Sequence, residues 1–369
     1  MKKRLLISLF GIITAAGILA GCSKDSRGNR QDAIQEEGSM DIGNIGPDST
    51  RITLTEEIQE LEDGLSAVRY EGNYGFREFL EQGGADSDAG VAEYLVEQLS
   101  DSGISLLFGG NPFGCSTLSV KGEDGSYLFG RNFDWDRCNA LIISAKPEDG
   151  YASVSTVNTD FIQSGGIDIS ILPDHIQAII GLYAPLDGMN EEGLTVSVNM
   201  IQDSDSINQD TDRPDITTTT AVRLLLDRAA TVDEAIEILG QYDLHASMGM
   251  MVHFALADAS GNSVVVEYIG NEMSVVQTPV VTNFYLTEGE KYGIGTAQSH
   301  ERYEILMQTK EEQGTMTETQ MRDALDSVSK DNFGEFESTE WSIVMNQGTK
   351  ELTYFHRENY NNGYTIAVR

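Results

Sequence analysis

Gly114-Cys115-Ser116-Thr117-Leu118-Ser119-Val120, then Glu123-Asp124-Gly125, then Tyr127-Leu128-Phe129-Gly130-Arg131-Asn132-Phe133-Asp134-Trp135 constrain this chain more than any other stretch. They read as a β-hairpin, two apolar-rich runs reversed at an Asp-Gly turn. Such a hairpin brings residues distant in sequence together at its open end. Cys115 opens the first strand, and Arg131 and Asp134 close the second. The pattern therefore predicts a sulfur beside a cation and a carboxylate. Those neighbours can set the ionisation of a thiol and of an adjacent amine. Taken singly, a cysteine in an apolar strand is most often a small buried hydrophobe. Arg131 with Asp134, taken singly, is a strand-end ion pair. Only the conjunction carries chemistry.

The chain before the hairpin carries an address. Lys2-Lys3-Arg4 is a basic start, and Leu5 to Leu19 is an apolar run too short for a membrane span. Leu19-Ala20-Gly21-Cys22 completes what reads as a lipoprotein signal over residues 1–21, with lipid on Cys22. Ser23 to Thr50 is polar and without apolar period, so residues 22–50 read as a solvated acidic tether. The expectation is a protein lipid-anchored to the cell membrane on its extracytoplasmic face. A formal charge of −35 argues against nucleic acid, whose phosphates it would repel. Cys115 and Cys138 are the two other cysteines. They could pair in that compartment, but a nucleophile must stay free, and Cys138 reads as an incidental thiol.

The 369 residues allow one large domain or two small ones, and no internal repeat is visible. Residues 51–114 read as an N-terminal module or propeptide. Within them Thr53-Leu54-Thr55-Glu56 resembles a capping box, Leu65 to Tyr70 a strand, and Phe76 to Glu81 and Val91 to Leu99 helices. The breaker-rich run Phe108 to Gly114 suits a chain that is to be reached or cut. From Cys115 strands dominate: Leu141 to Ala145, Ala152 to Val157, Leu194 to Met200, Met251 to Ala257, Ser263 to Tyr268, and one or two over Met273 to Thr282. Trp341 to Asn346, Leu352 to Phe355 and Tyr364 to Val368 close the chain as strands. Phe161 to Pro185 reads as irregular and apolar, and Gly188 to Gly193 as a turn. Helices are expected over Thr217 to Ala230, Val232 to Leu239, Ser299 to Lys310 and Thr317 to Val328. Hairpins mixed with paired helices indicate two antiparallel sheets with helices outside, an α+β layered fold.

Three more stretches join the hairpin. Gly188-Met189-Asn190-Glu191-Glu192-Gly193-Leu194 leads into a strand ending at Asn199. Val281-Thr282-Asn283 ends another strand, and Ser299-His300-Glu301-Arg302 starts a helix. In this order, with the final Trp341 to Asn346 strand, they resemble the choloylglycine hydrolase family. These are linear-amide C–N hydrolases, bile salt hydrolases and penicillin V acylases among them, and they are N-terminal-nucleophile (Ntn) enzymes. The resemblance covers Cys115 to the C-terminus and implies the four-layer αββα sandwich over residues 115–369. Glu192 stands where the family pattern has Lys.

The resemblance also implies roles. Cys115 would be the nucleophile, and its own freed α-amine the base and acid. An α-amine has a pKa near 8, which suits both tasks. Cys115 must then become an N-terminus, which requires a cut between Gly114 and Cys115. Asp134 would accept from the amine, and Arg131 would lower the thiol pKa or steady the site. Asn199 and Asn283 would serve the oxyanion, and Arg302 would place a charge near the thiol. The substrate would be a small N-acyl amide with an apolar acyl group. Phe161 to Pro185 and Met248 to Met251 are candidates to line its pocket, and core packing is their other reading. No cofactor or metal is expected, and relatives of this kind assemble as homo-oligomers. The rival readings are a histidine-based thiol enzyme and a non-catalytic lipid-anchored protein that binds solutes or tethers a partner.

Overall fold

Runs of β-branched and aromatic residues broken by Gly, Asp and Asn set the strands. The computed structural model describes residues 49–99, 114–163, 168–202, 204–289, 293–331 and 337–369. The expected signal (1–21), lipidated Cys22, nearly all of the tether and the run 108–113 lie outside the described residues. In chain order the strands are β1 (Ser49–Arg51), β2 (Gln59–Glu62), β3 (Leu65–Glu71), β4 (Gly114–Gly122), β5 (Tyr127–Trp135), β6 (Ala140–Lys146) and β7 (Ser153–Asn158). Next come β8 (Asp187–Asn190), β9 (Thr195–Met200), β10 (Asp215–Thr217), β11 (Asp243–His245), β12 (Val252–Ala257), β13 (Ser263–Ile269) and β14 (Glu272–Gln277). The last are β15 (Val280–Val281), β16 (Thr315–Met316), β17 (Ser338–Asn346), β18 (Glu351–His356) and β19 (Gly363–Ala367). The helices are α1 (Phe76–Glu81), α2 (Asp88–Gln98), α3 (Thr159–Gln163), α4 (Asp174–Leu182), α5 (Thr218–Arg228), α6 (Val232–Leu239), α7 (Ala297–Gln313) and α8 (Glu318–Asp326).

One sheet runs β1-β19-β18-β17-β5-β4-β15, with β16 beside β4; the other runs β14-β13-β12-β9-β8-β7-β6-β3-β2. Helices α7 and α8 pack on the first sheet, and α4, α5 and α6 on the second. This is the expected αββα order. The strand period of two sorts side chains between the layers. Phe129 and Phe133 of β5 join the core between the sheets. Leu128 of β5 and Leu118 and Val120 of β4 point the other way, onto Leu306 of α7 and Met321 and Leu325 of α8. Gly130 lets α8 approach, because a Cβ there would stand 2.5 Å from Met321 Sδ.

Several expectations need correction. The sheets are mixed rather than antiparallel: β3 pairs with β6, β1 with β19 and β16 with β4 in parallel. Phe161 to Pro185 is not irregular but holds most of α3 and all of α4, whose Ile176, Ala178, Ile180 and Leu182 are buried. A helix apolar on most sides shows no period to read. These residues, with Met250 and Met251, are core. Gly188 to Asn190 lies in strand β8, and the turn is confined to the residues after it. Thr53 to Glu56 caps no helix; Thr55 Oγ1 donates to the Glu57 carbonyl instead.

Residues 49–99 are woven into the same fold. Strand β3 pairs with β6 along its whole length. Phe76 and Phe79 of α1 and Tyr94 of α2 pack their rings around Tyr183, with centroids 5.4, 5.6 and 6.1 Å away. Among the described residues no helix is long and apolar enough to cross a membrane.

Candidate active site

At the open end of the β4–β5 hairpin, Cys115 lies opposite Phe133 and Gly114 opposite Asp134. Strand alternation sends Cys115 and Arg131 between the sheets and Asp134 to the helix side. Arg131 is fully buried. Its Nε lies 3.3 Å from Asp187 Oδ2, and its Nη2 donates to the Val198 carbonyl at 2.9 Å. Its Nη1 donates to the Asn132 carbonyl at 3.2 Å and to Asn199 Oδ1 at 3.4 Å. Asp187 also accepts from Trp341 Nε1 at 3.0 Å. A charge so deeply buried needs this paired carboxylate and these acceptors.

On the other side, α7 supplies Arg302. Thr296 caps that helix by accepting from Ser299 N. Ser299 and Arg302, three residues apart, share its buried face. Ser299 Oγ accepts from Asn283 N at 2.8 Å, which docks the end of β15 on the helix. Arg302 then bridges three groups. It donates to the Cys115 carbonyl at 2.8 Å, to Asp134 Oδ2 at 3.1 Å and to Asn283 Oδ1 at 2.7 Å. Asn283 Oδ1 also accepts from Cys115 N at 2.9 Å.

The structure thus brings Cys115, Arg131, Asp134, Asn283 and Arg302 into one cluster, with Asn199 joined through Arg131. With the Gly114–Cys115 bond whole, Cys115 N donates to Asn283, and Asp134 accepts from Arg302 and from Thr339 Oγ1, the latter at 2.7 Å. Arg131 draws the thiol pKa down, as does Arg302 less strongly, but burial outweighs both and pushes it up to about 11. Asn199 and Asn283 each commit an amide hydrogen, to the Val281 carbonyl at 3.3 Å and the Met200 carbonyl at 2.8 Å. A side-chain amide carries two hydrogens, so each has a second one beyond these bonds. Cys138 is a free, buried thiol, as is Cys115.

Sequence reasoning missed Asp187, Thr339 and a buried strut behind Asn283. Asp187 stood one residue before the Gly188 motif, but nothing local marks it as the partner of Arg131. In the strut, His253 Nε2 lies 2.9 Å from the Thr282 carbonyl, and Nδ1 lies 3.2 Å from Glu267 Oε1. Glu267 also accepts from Leu286 N and Thr287 N. Burial pushes this carboxyl up, but His253 and those donors prevail and hold it at about 2. A carboxyl lowered from its unfolded value near 4.3 stabilises the fold fully above that value, and the gain is lost as pH falls towards about 2. Glu267→Gln is therefore expected to cost about 1.5–3 kcal/mol at neutral pH. It should also flatten the acid limb of a urea-unfolding series between about pH 4.3 and 2.

The family described as linear amide C–N hydrolases, choloylglycine hydrolase family, matches residues 115–323. Over 105 residues the chain is 28% identical to the penicillin V acylase of Pectobacterium atrosepticum, a match covering 26% of this chain and 28% of that protein. The chain therefore spans little more than a quarter of that relative's length. Two solved variants of the conjugated bile acid hydrolase from Clostridium perfringens, one cysteine-to-alanine and one arginine-to-leucine, share the fold. Their TM-scores are 0.52 and 0.51 at 18% and 17% identity, each covering 69% of this chain and 92% of its own. The family match starts at Cys115, the residue the site is built around, and runs over more than half of the chain. The chain belongs to the choloylglycine hydrolase family of linear amide C–N hydrolases, with the Ntn-hydrolase fold.

Proposed function

We propose that Cys115 is the nucleophile of a linear amidase, armed when the Gly114–Cys115 bond is cut. One observation carries this reading. The nitrogen, the carbonyl and the side chain of a single residue are each met by a different part of the site: Asn283, Arg302 and the Arg131 side of the sheet interior. Every buried backbone N–H needs a partner; what sets Cys115 apart is that its partner is a side-chain amide held by a buried arginine, which stays in place if the peptide bond is cut. Once free, that nitrogen takes the thiol proton as sulfur attacks the substrate carbonyl, and returns it to the leaving amine. The remaining amide hydrogens of Asn199 and Asn283 meet the oxyanion. Water then releases the acid from the Cys115 thioester.

The substrate class proposed is a small N-acyl amide with an apolar acyl part. By their names, the relatives act on conjugated bile acid and on penicillin V. Phe133 lies opposite Cys115 and stacks on Trp341 at 3.9 Å, and Phe161 meets Trp135 at 4.9 Å. These rings are core beside the site, so the support for an apolar acyl part is the relatives' names. The test is acid quenching during turnover of a phenoxyacetyl or bile-acyl amide, followed by peptide mass mapping. The acyl mass is expected on the Cys115 peptide; an acyl adduct on any other residue contradicts the assignment.

Three further parts of the reading rest on sequence and fold. Cys22 carries the anchor to the extracytoplasmic face of the membrane, supported by the signal pattern before it; loss of lipid labelling in a Cys22→Ser chain tests it. The segment up to Gly114 stays with the catalytic piece after the cut, supported by β3 in the second sheet. The two pieces should co-elute until denaturant is added. Assembly into a homo-oligomer is checked by sedimentation.

A further inference from the structure

Gly114 lies buried at the head of β4, facing a lysine that the reaction above does not use. A Cβ built on Gly114 would stand 2.6 Å from Lys330 Nζ, 3.1 Å from Glu337 Oε2 and 3.2 Å from Asp134 Oδ2. A carbon–carbon bond is about 1.5 Å, so the ammonium lies within about 4 Å of the Gly114 Cα. Lys330 is 5% exposed and 3.7 Å from Asp134 Oδ2. It is ion-paired with Glu337. Its backbone is clamped to Thr339: Lys330 N donates to Thr339 Oγ1 at 2.8 Å, and Thr339 N to the Lys330 carbonyl at 3.0 Å. Lysine is almost never buried without a charged partner, and burying this one is costly. Here its charge is directed at the residue on the acyl side of one peptide bond.

We infer that Lys330, carried by Glu337, is a processing residue for the Gly114–Cys115 bond and is dispensable for turnover once that bond is cut. The inference rests on the reading that the cut occurs. In the cut, Cys115 Sγ bonds to the Gly114 carbonyl carbon as the carbon–nitrogen bond breaks. The thiol proton passes to the Cys115 nitrogen, leaving an amine and a Gly114 thioester. Water then adds to the thioester, restores the thiol and releases the Gly114 carboxylic acid, whose proton goes to the amine. The Gly114 oxygen gains negative charge in each addition and keeps it in the product. The Lys330 ammonium, within about 4 Å of the Gly114 Cα, is close enough for its charge to act on that oxygen. Glycine at 114 is the side chain that leaves the ammonium its place.

The test follows cutting by intact mass in full chains of the wild type, Lys330→Met, Lys330→Arg and Glu337→Gln. Turnover of an N-acyl amide is measured per cut chain, and thermal melting reports folding. Lys330→Met should slow cutting about 100-fold, the scale of one well-placed electrostatic stabiliser. Lys330→Arg keeps the charge and should cut within about tenfold of the wild-type rate. Glu337→Gln should fall between them. Turnover per cut chain should stay near wild type in all three. Wild-type cutting in Lys330→Met overturns the inference and leaves the amidase reading standing. So does a loss of turnover per cut chain as large as the loss of cutting. If Lys330→Met fails to fold, the Arg and Gln chains decide: an uncut Arg chain beside a normally cut Gln chain overturns it. A wild-type chain that stays whole overturns both readings at once, and the wild-type sample alone shows it.

Discussion

A Cys115→Ala chain is expected to hydrolyse no amide above background and to remain whole at Gly114–Cys115. Both losses come from the same atom, because the sulfur that attacks substrate also attacks the preceding carbonyl. Removing a nucleophile that acts as a unit with its base costs on the order of 10⁶ in kcat. Folding should survive: Cys115 is a small side chain, and replacing its –SH by hydrogen leaves a gap of one sulfur atom, a small cavity cost. Its backbone bonds to Asn283 and Arg302 persist in the variant, since they use the nitrogen and carbonyl rather than the sulfur. Intact mass, melting temperature and steady-state rate together check this. A whole, well-folded and inactive chain is the expected set. Cys115→Ser keeps a weaker nucleophile on the same backbone and should fall between Ala and wild type.

Arg302→Met is expected to damage both stability and rate. The guanidinium joins the Cys115 carbonyl, Asp134 and Asn283, so its loss frees all three at once. Asp134 is fully buried, and breaking a buried pair by deleting one partner costs about 3–5 kcal/mol. Thr339 and the more distant Lys330 still face it, which places the expectation near about 3 kcal/mol. Asn283 loses the charged one of the two donors to its Oδ1, so its amide is held less firmly by the Cys115 nitrogen and the Met200 carbonyl that remain. The rate should fall about 10²–10³-fold, with the larger part in kcat. Denaturant unfolding and a kcat-against-KM split measure the two effects. A variant that keeps wild-type kcat would show that Arg302 merely packs.

The parts of this molecule that were legible from sequence share one property: their meaning is local. The Asp-Gly turn fixes the hairpin, and the hairpin alone puts Cys115, Arg131 and Asp134 at one end. The Ser299 to Arg302 spacing marks one helix face, and both residues are buried on it. What stayed hidden was set by distant partners. Helix α4 is buried on most sides and showed no period. The parallel seam of β3 on β6 depends on a neighbour many residues downstream. Asp187 needs Arg131 to matter, and Lys330 needs Gly114. Arg131 does draw the thiol pKa down, but sequence shows only that a cation is near, not how far burial outweighs it.

The central claim is that the nitrogen of Cys115 is free in the working protein. It is tested most directly by N-terminal sequencing and intact mass of active protein purified to constant specific activity. The account predicts a piece that starts at Cys115 and reads Cys-Ser-Thr-Leu, whose abundance tracks activity through the preparation. An active preparation in which every chain still joins Gly114 to Cys115 would contradict it.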